Sequence, residues 1–401
     1  MLENPSPANL ADVSTFQKEW AALLECASPA RDGARLAKLF AGVDWGKLLL
    51  LAEEHGVLAH VAAGLGVSLR LVLSDSNAVA VSPEVTQALL ERQRAQNFQT
   101  LRLTAELFRI LETFAEKKIP ALVIKGPVLA MQAYGDPAMR GYGDLDLLVR
   151  QRDIRRATEA MLASGFAAAV PLRAIDAGKI PGQYLFSKPD SKLLVELHND
   201  LTLRYFPRPL PIEDFFARQV CVRLDTHEAP ALAVEDELVL ICIHGAKHFW
   251  ERLIWIADVA ALVTRQTGMD WGRAEESARA VRAEHLLHVG LRLAGKLLRA
   301  RLPEKVIADV KSDAAAGKMA NKIMRWLPAA GYAPPGLFER AMFRMRMRGG
   351  VFAAPAYLLR LSLSPTEEDW QDEGQISRNR FLDMLRRPFR LARKHGRGGK
   401  P

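Results

Sequence analysis

The stretch IKGPVLAMQAYGDPAMRGYGDLDLLV, residues 124–149, decides how this chain folds. Its last part sets Asp144 and Asp146 one residue apart among leucines. In a β-strand successive side chains point to opposite faces, so the two aspartates share one face while Leu145 and Leu147 share the other. Neighbouring carboxylates repel each other, and taking them out of water is costly unless a cation meets them. The same alternation in KLLVELH, residues 192–198, puts Glu196 and His198 on one face and Leu193, Val195 and Leu197 on the other. If the two segments are neighbours in one sheet, three carboxylates bracket one small volume. Oxygen ligands of this kind suit Mg2+ or Mn2+, and two such ions about 4 Å apart clamp both oxygens of an in-line phosphoryl displacement.

Around this stretch the period of the pattern changes repeatedly. ALVIKG (121–126) reads as a strand closed by glycine, and PVLAMQAYG as a helical turn or two started by proline. RRATEAMLASG is a crossover-like helix, and YLFSK and KLLVELH are two further strands joined by the turn SKPDSK. Upstream, FQKEWAALLECA, GARLAKLF and WGKLLLLAEEHGVLAHVAAGL read as helices, with Asp44 as N-cap of the third. GVSLRLVLSDSNAVAVSPE reads as loop or irregular strand and ends in the helix-start signal Ser82-Pro83-Glu84. A long helix then runs to about Lys118, with Leu103, Leu107, Ile110, Leu111 and Phe114 as its buried stripe. From about residue 234 the chain is helical again to about 330. The expected fold is α+β: a small mixed sheet flanked by extensive N- and C-terminal helices. The expected divisions are a helical region 1–83, a sheet-bearing core 84–228, a helical domain 229–335 completing the pocket, and a C-terminal helical segment 336–401.

Composition narrows the function classes. With 401 residues, 49% of them hydrophobic and 25% charged, the chain can bury a sizeable core. No apolar run reaches eighteen residues, and the start MLENPSPANLADV lacks the basic and apolar blocks of a signal peptide, so a cytoplasmic protein is expected. Cys26, Cys221 and Cys242 show no CxxC spacing and read as small buried hydrophobes. The net charge of +9 is concentrated in the tail RNRFLDMLRRPFRLARKHGRGGKP, which holds one acid, Asp383. Such a tail can contact nucleic acid, lie on an anionic membrane surface through Phe381, Leu382, Leu385, Phe389 and Leu391 and so hold the protein at the membrane periphery, or simply be solvated.

Strand, glycine, helix, Asp-x-Asp on a strand and an acid on a later strand together resemble the DNA polymerase β type nucleotidyltransferase superfamily. More narrowly, the opening stretch, VELH, HGAKHFWERLIWIADVA, SPTEEDW and RRPFRLARKHG are similar to the bacterial uncharacterised nucleotidyltransferases, over roughly residues 84–397. The resemblance implies transfer of a nucleoside monophosphate from an NTP such as ATP to a hydroxyl acceptor, dependent on Mg2+ or Mn2+, with pyrophosphate released. It makes Asp144 and Asp146 the metal-binding pair and Glu196 the third carboxylate. Gly126 matches the glycine whose backbone approaches the triphosphate. Pro127 departs from the superfamily's pattern, since it has no N–H to donate, and Lys125 can compensate as a phosphate contact. Arg140, placed near the pair, would neutralise the departing pyrophosphate.

Other readings of these residues stand beside this one. Lys125 and Arg140 can form internal ion pairs with the aspartates, and Glu196 can be an arginine-paired acid at a strand edge. Ile243 to Val259 reads as one helix, on which His244, His248, Glu251, Trp255 and Asp258 form one stripe and Phe249, Leu253, Ile256 and Ala260 another. The first stripe reads as a pocket wall, with Trp255 or a histidine against a base and Lys247 or Arg252 near phosphate. His198, His244, His248, Trp255 and Asp258 are therefore binding candidates, or residues that merely satisfy one another. No His-Glu-x-x-His zinc motif, P-loop, dinucleotide fingerprint or nucleophile elbow is present. The competing function is a nucleotide-binding scaffold without turnover, held to membrane or nucleic acid by its basic tail.

Overall fold

The computed structural model describes residues 16–66, 81–171, 175, 182–188, 193–200, 210–329 and 336–346. The expected irregular stretch over 67–80, the turn residues 189–192, SPTEEDW and the basic tail lie outside the described residues.

The chain begins with α1 (Gln17–Ala27), α2 (Gly33–Phe40), α3 (Trp45–Glu54) and α4 (Leu58–Gly64). Asp32 and Asp44 accept backbone N–H bonds at the starts of α2 and α3, as an N-cap aspartate should. Ser82 caps the long helix α5 (Pro83–Glu116), with Pro83 in the first turn where its missing N–H costs nothing. Next come β1 (Ala121–Ile124), α6 (Gly126–Tyr134), β2 (Leu145–Val149), α7 (Ile154–Ala163), β3 (Ala167–Ala168), β4 (Gln183–Lys188) and β5 (Leu193–His198). A short helix α8 (Ile212–Ala217) leads to β6 (Val220–Leu224) and β7 (His227–Ala231). The rest is helical: α9 (Val234–Lys247), α10 (Leu253–Arg265), α11 (Trp271–Ala280), α12 (Glu284–Leu298), α13 (Glu304–Ser312), α14 (Ala314–Trp326) and α15 (Leu337–Arg346).

The fold is α+β, with one mixed sheet in the order β3-β4-β5-β2-β1-β7-β6. Central β2 runs antiparallel to β1 and parallel to β5, and the crossover through α7 makes the parallel pairing possible. Leu145, Leu147 and Val149 face the stripe Leu103, Leu107, Ile110 and Phe114 of α5, together with α7. Leu122, Ile124 and Leu148 face the other way, into the core built by α6, α9 and α10. Each buried leucine contributes about 1.5–3 kcal/mol relative to exposure, which fixes the register and so the face on which Asp146 must lie.

Three expectations change. Ile243 to Val259 is not one helix: α9 ends at Lys247, and Phe249 and Trp250 take left-handed backbone (φ 58° and 55°) before α10 begins. Trp250 is fully buried, and its indole fills the space a Cβ on Gly245 would need, 2.6 Å from the ring, so the chain turns back to seat it. The helix expected over 45–65 is likewise two, parted at His55. His55 uses its carbonyl to accept from Ile254 N–H (3.0 Å) and its Nδ1 to accept from Leu253 N–H (3.3 Å), capping α10 from a distant segment. Arg252 in return donates to the carbonyls of Glu53 and Glu54 at the end of α3. Finally, Cys26 and Cys242 are buried as expected but Cys221 is exposed, because it lies on the outermost strand of the unanticipated hairpin β6–β7.

Candidate active site

β2 and β5 pair with Asp146 directly opposite Glu196 and Leu148 opposite His198. Asp146, Glu196 and His198 therefore project from one face, and a ligand atom from each lies within 4.8 Å of the others. His198 Nε2 is 2.7 Å from Asp146 Oδ1 and 3.3 Å from Glu196 Oε2. Asp144, just before β2, lines the same cavity but stands outside that group of three.

Lys125 enters from the end of β1, with Nζ 2.8 Å from Asp146 Oδ2 and 3.5 Å from His244 Nδ1. It is the junction between β1 and α6, and its backbone sits at φ 57°, ψ −139°, where a side chain is strained. Its N–H donates to Oε1 of Glu237, a fully buried acid on α9 that holds the strained turn. Gly126 follows at φ +46°, a conformation glycine tolerates, and the space beside its Cα is open. Pro127 leaves that turn one N–H short, as anticipated.

Electrostatics follow from burial and these contacts. Burial pushes the Asp146 carboxyl up, but Lys125 and His198 hold it well below the usual carboxylate range. Glu196 is lowered too: burial alone would raise it, but the hydrogen bond and charge of His198 together with the charge of Lys125 outweigh burial. Asp144 is raised by burial and by the charge of Asp146. Burial lowers His198, but hydrogen bonds to both acids and their charges outweigh it and raise the imidazole above its ordinary value. Glu237 is pushed up to about 7, chiefly by burial.

The cluster opens into a cavity of about 450 Å3 whose far wall is helical. His244, His248 and Trp255 meet there with ring centroids 4.7–5.5 Å apart, even though the helix they were expected to share is broken. Burial and the nearby Lys125 hold His244 well below its ordinary value, and burial with Lys247 holds His248 at about 4, so both rings are neutral. Lys247 donates to Gln183 Oε1 across the cavity (3.1 Å), and burial lowers its ammonium. The remaining members of the expected stripe go elsewhere. Glu251 pairs with Arg340 of α15 (2.6 Å), and Asp258 accepts from Arg140 Nε and Tyr134 Oη, both at 2.9 Å. Arg140 thus lines the cavity but is anchored to Asp258, not to the acid pair.

Glu237 and Gln183 were not anticipated. Glu237 reads in sequence as an ordinary acid of a first helical turn, and nothing local marks its partner 112 residues away. Gln183 opens a strand, and only the pairing of β4 with β5 brings it beside His198. A larger cavity of about 570 Å3, between α5 and the β6–β7 edge, is lined by Phe108, Leu111 and Pro230, and its walls bring no metal-ligating group of three together among the described residues.

The arrangement suits a divalent cation: two ionised carboxylates and an imidazole converge at the head of a cavity with cationic side chains around it. A comparison with curated proteins gave no match. The profile of the family described as uncharacterised nucleotidyltransferases matches residues 41–299, starting earlier, within the N-terminal helices, and ending earlier than the span 84–397. That match takes in β1 to β7 and α3 to α12, so every residue of the cluster falls inside it, and the chain belongs to the uncharacterised nucleotidyltransferase family.

Proposed function

We propose that the chain transfers a nucleoside monophosphate from an NTP to a hydroxyl acceptor, with release of pyrophosphate, in the manner of the DNA polymerase β type superfamily. The observation that carries this reading is the in-register pair Asp146 and Glu196 at the head of a cavity that also holds Lys125 and open space over Gly126. Asp146 and Glu196, with Asp144 beside them, would hold Mg2+ or Mn2+. Such an ion, when bound, supplies charge neutralisation for the phosphates and a lowered pKa for the attacking hydroxyl.

The protein's own groups do the rest. Lys125, Lys247 and Arg140 set positive charge along one cavity for the triphosphate. Gly126 lets backbone approach a phosphate where a side chain would intrude. Trp255 with neutral His244 and His248 offers aromatic faces for a base without adding charge. Glu196, ionised and partly exposed, is placed to orient the acceptor hydroxyl and take its proton.

Incubating purified protein with each labelled NTP, Mg2+ or Mn2+ and a pool of acceptors from cell extract tests the reading. Label should pass to an acceptor, chelator should abolish transfer, and Asp146→Ala should lower the rate at least about a hundredfold. A twofold loss in that variant would remove Asp146 from the assigned role. A second reading, binding without turnover, is favoured by the ion pair Lys125–Asp146, which already neutralises the central acid. Tight NTP binding with no label transferred would support it.

A further inference from the structure

We propose that the cluster is a one-ion site with His198 as a ligand, that it selects a divalent transition ion over Mg2+, and that Lys125 takes the place of a second cation. This deepens the nucleotidyl-transfer reading, since the same carboxylates serve both, but its claims concern metal binding alone.

Asp146 presents its two oxygens to different partners. Oδ1 faces His198 Nε2 at 2.7 Å, and Oδ2 faces Lys125 Nζ at 2.8 Å. On the Oδ1 side stand three donors: Asp146, Glu196 and His198. Adjacent ligands on an ion bound at 2.0–2.2 Å sit about 3 Å apart, and the separations of 2.7 and 3.3 Å bracket that spacing. His198 is confined by the parallel pairing of β2 and β5 to the face that carries both acids. Its Nε2 therefore stands within coordinating reach of an ion that Asp146 Oδ1 and Glu196 Oε2 would hold.

The donor type sets the preference. Oxygen-only sites suit Mg2+, whereas an imidazole nitrogen favours first-row transition ions. Mn2+ has the weakest pull on nitrogen in that series, so a preference for Mn2+ over Mg2+ is the stringent form of the claim. The Oδ2 side determines the number of ions. A carboxylate that bridges two ions through its two oxygens needs both of them free, and here the second is occupied by the largely enclosed ammonium of Lys125. Lys125 is not a wandering surface lysine: its backbone is locked in the left-handed region by the bond to Glu237, which aims the side chain at Asp146. Asp144, the natural ligand for a second ion, stands outside the group of three.

The test uses the full-length metal-free protein and Mn2+ alone, counted by electron paramagnetic resonance and calorimetry, followed by competition with Mg2+. One Mn2+ per chain is expected, displaced only by Mg2+ in at least about tenfold excess. His198→Asn should weaken Mn2+ at least about tenfold and erase the preference, and Lys125→Met should admit a second ion. Two ions in the unaltered protein, equal affinity for Mn2+ and Mg2+, or an unchanged preference in His198→Asn would each overturn the inference. The unaltered protein decides number and preference by itself, so a variant that fails to fold leaves the test intact. A protein that binds one Mn2+ yet moves no nucleotide would overturn the transfer reading and leave this inference standing; Mg2+-driven transfer with two ions would do the reverse.

Discussion

Glu237 is not one of the three clustered ligands, yet it holds the backbone of Lys125, whose ammonium pairs with Asp146. Its Oε1 accepts the Lys125 N–H, while Oε2 is buried without a hydrogen-bond partner. An apolar replacement orphans the Lys125 N–H, at a cost of about 1–3 kcal/mol, and frees the turn to relax from its strained backbone. Glu237→Leu should therefore weaken NTP binding and speed amide exchange at the start of α6, whereas Glu237→Gln, which keeps the acceptor, should do neither. Equal effects of the two variants on exchange would show that the hydrogen bond does not set the turn. The pH dependence has a definite sign. Glu237 is pushed up to about 7 from an ordinary 4.5, so the native state binds the extra proton between those values. The stability this contributes is complete below pH 4.5 and is lost as pH rises to 7. Relative to Glu237→Gln, the unaltered protein should lose on the order of 3 kcal/mol across that window, measured by urea unfolding at pH 5 and 8.

Buried neutral histidines tie the N-terminal helices to the helical core with the opposite pH sign. Burial holds His55 at about 4 and His60 at about 3, below the value of about 6.5 they regain on unfolding. The unfolded chain therefore binds more protons as pH falls below 6.5, and each histidine removes up to about 1.4 kcal/mol of stability per pH unit on the way down. His60 packs edge-on against Tyr134, and both its ring nitrogens lack partners. His60→Leu should be neutral or stabilising at pH 7.5 and gain about 1–2 kcal/mol at pH 5; a loss at pH 5 would contradict the assignment. At the α9–α10 turn, Gly245→Ala would press a methyl into the Trp250 ring and should cost about 1–3 kcal/mol in urea unfolding. The same turn shows why part of the fold was hidden from sequence. Alternation announced β2 and β5, a short run closed by glycine announced β1, a hairpin turn announced β4 beside β5, and helix-start signals at Asp44 and Ser82 announced α3 and α5, because those signals are local. The break at 248–252 carries no glycine or proline, since it exists to seat Trp250 in a distant core. VCVRL and HEAPA were missed because an edge hairpin needs only one buried face, and Pro230 reads against a strand.

The cavity lies on the seam between two hydrophobic clusters. Asp146, Glu196 and Lys125 come from the sheet, whose far face packs on α5 and α7, while His244, Lys247, His248 and Trp255 come from α9, α10 and the turn between them. The acids and Lys125 were legible because chemistry and strand period coincide on a few residues. The aromatic wall was legible as residues but not as geometry, since its rings meet across a turn that only tertiary packing creates. A ligand that spans the seam must touch both walls, so its binding free energy stabilises the sheet and the helical core together. By mass action, one bound at a hundred times its dissociation constant adds about 2.7 kcal/mol to the native state. A non-hydrolysable NTP analogue with Mn2+ should therefore raise the calorimetric melting temperature by a few degrees, as one transition. Asp146→Asn, on the sheet, and Trp255→Ala, on the helical wall, should each remove most of that rise. A rise that persists in Trp255→Ala but vanishes in Asp146→Asn would mean that the ligand touches only the sheet, and that the aromatic wall serves packing alone.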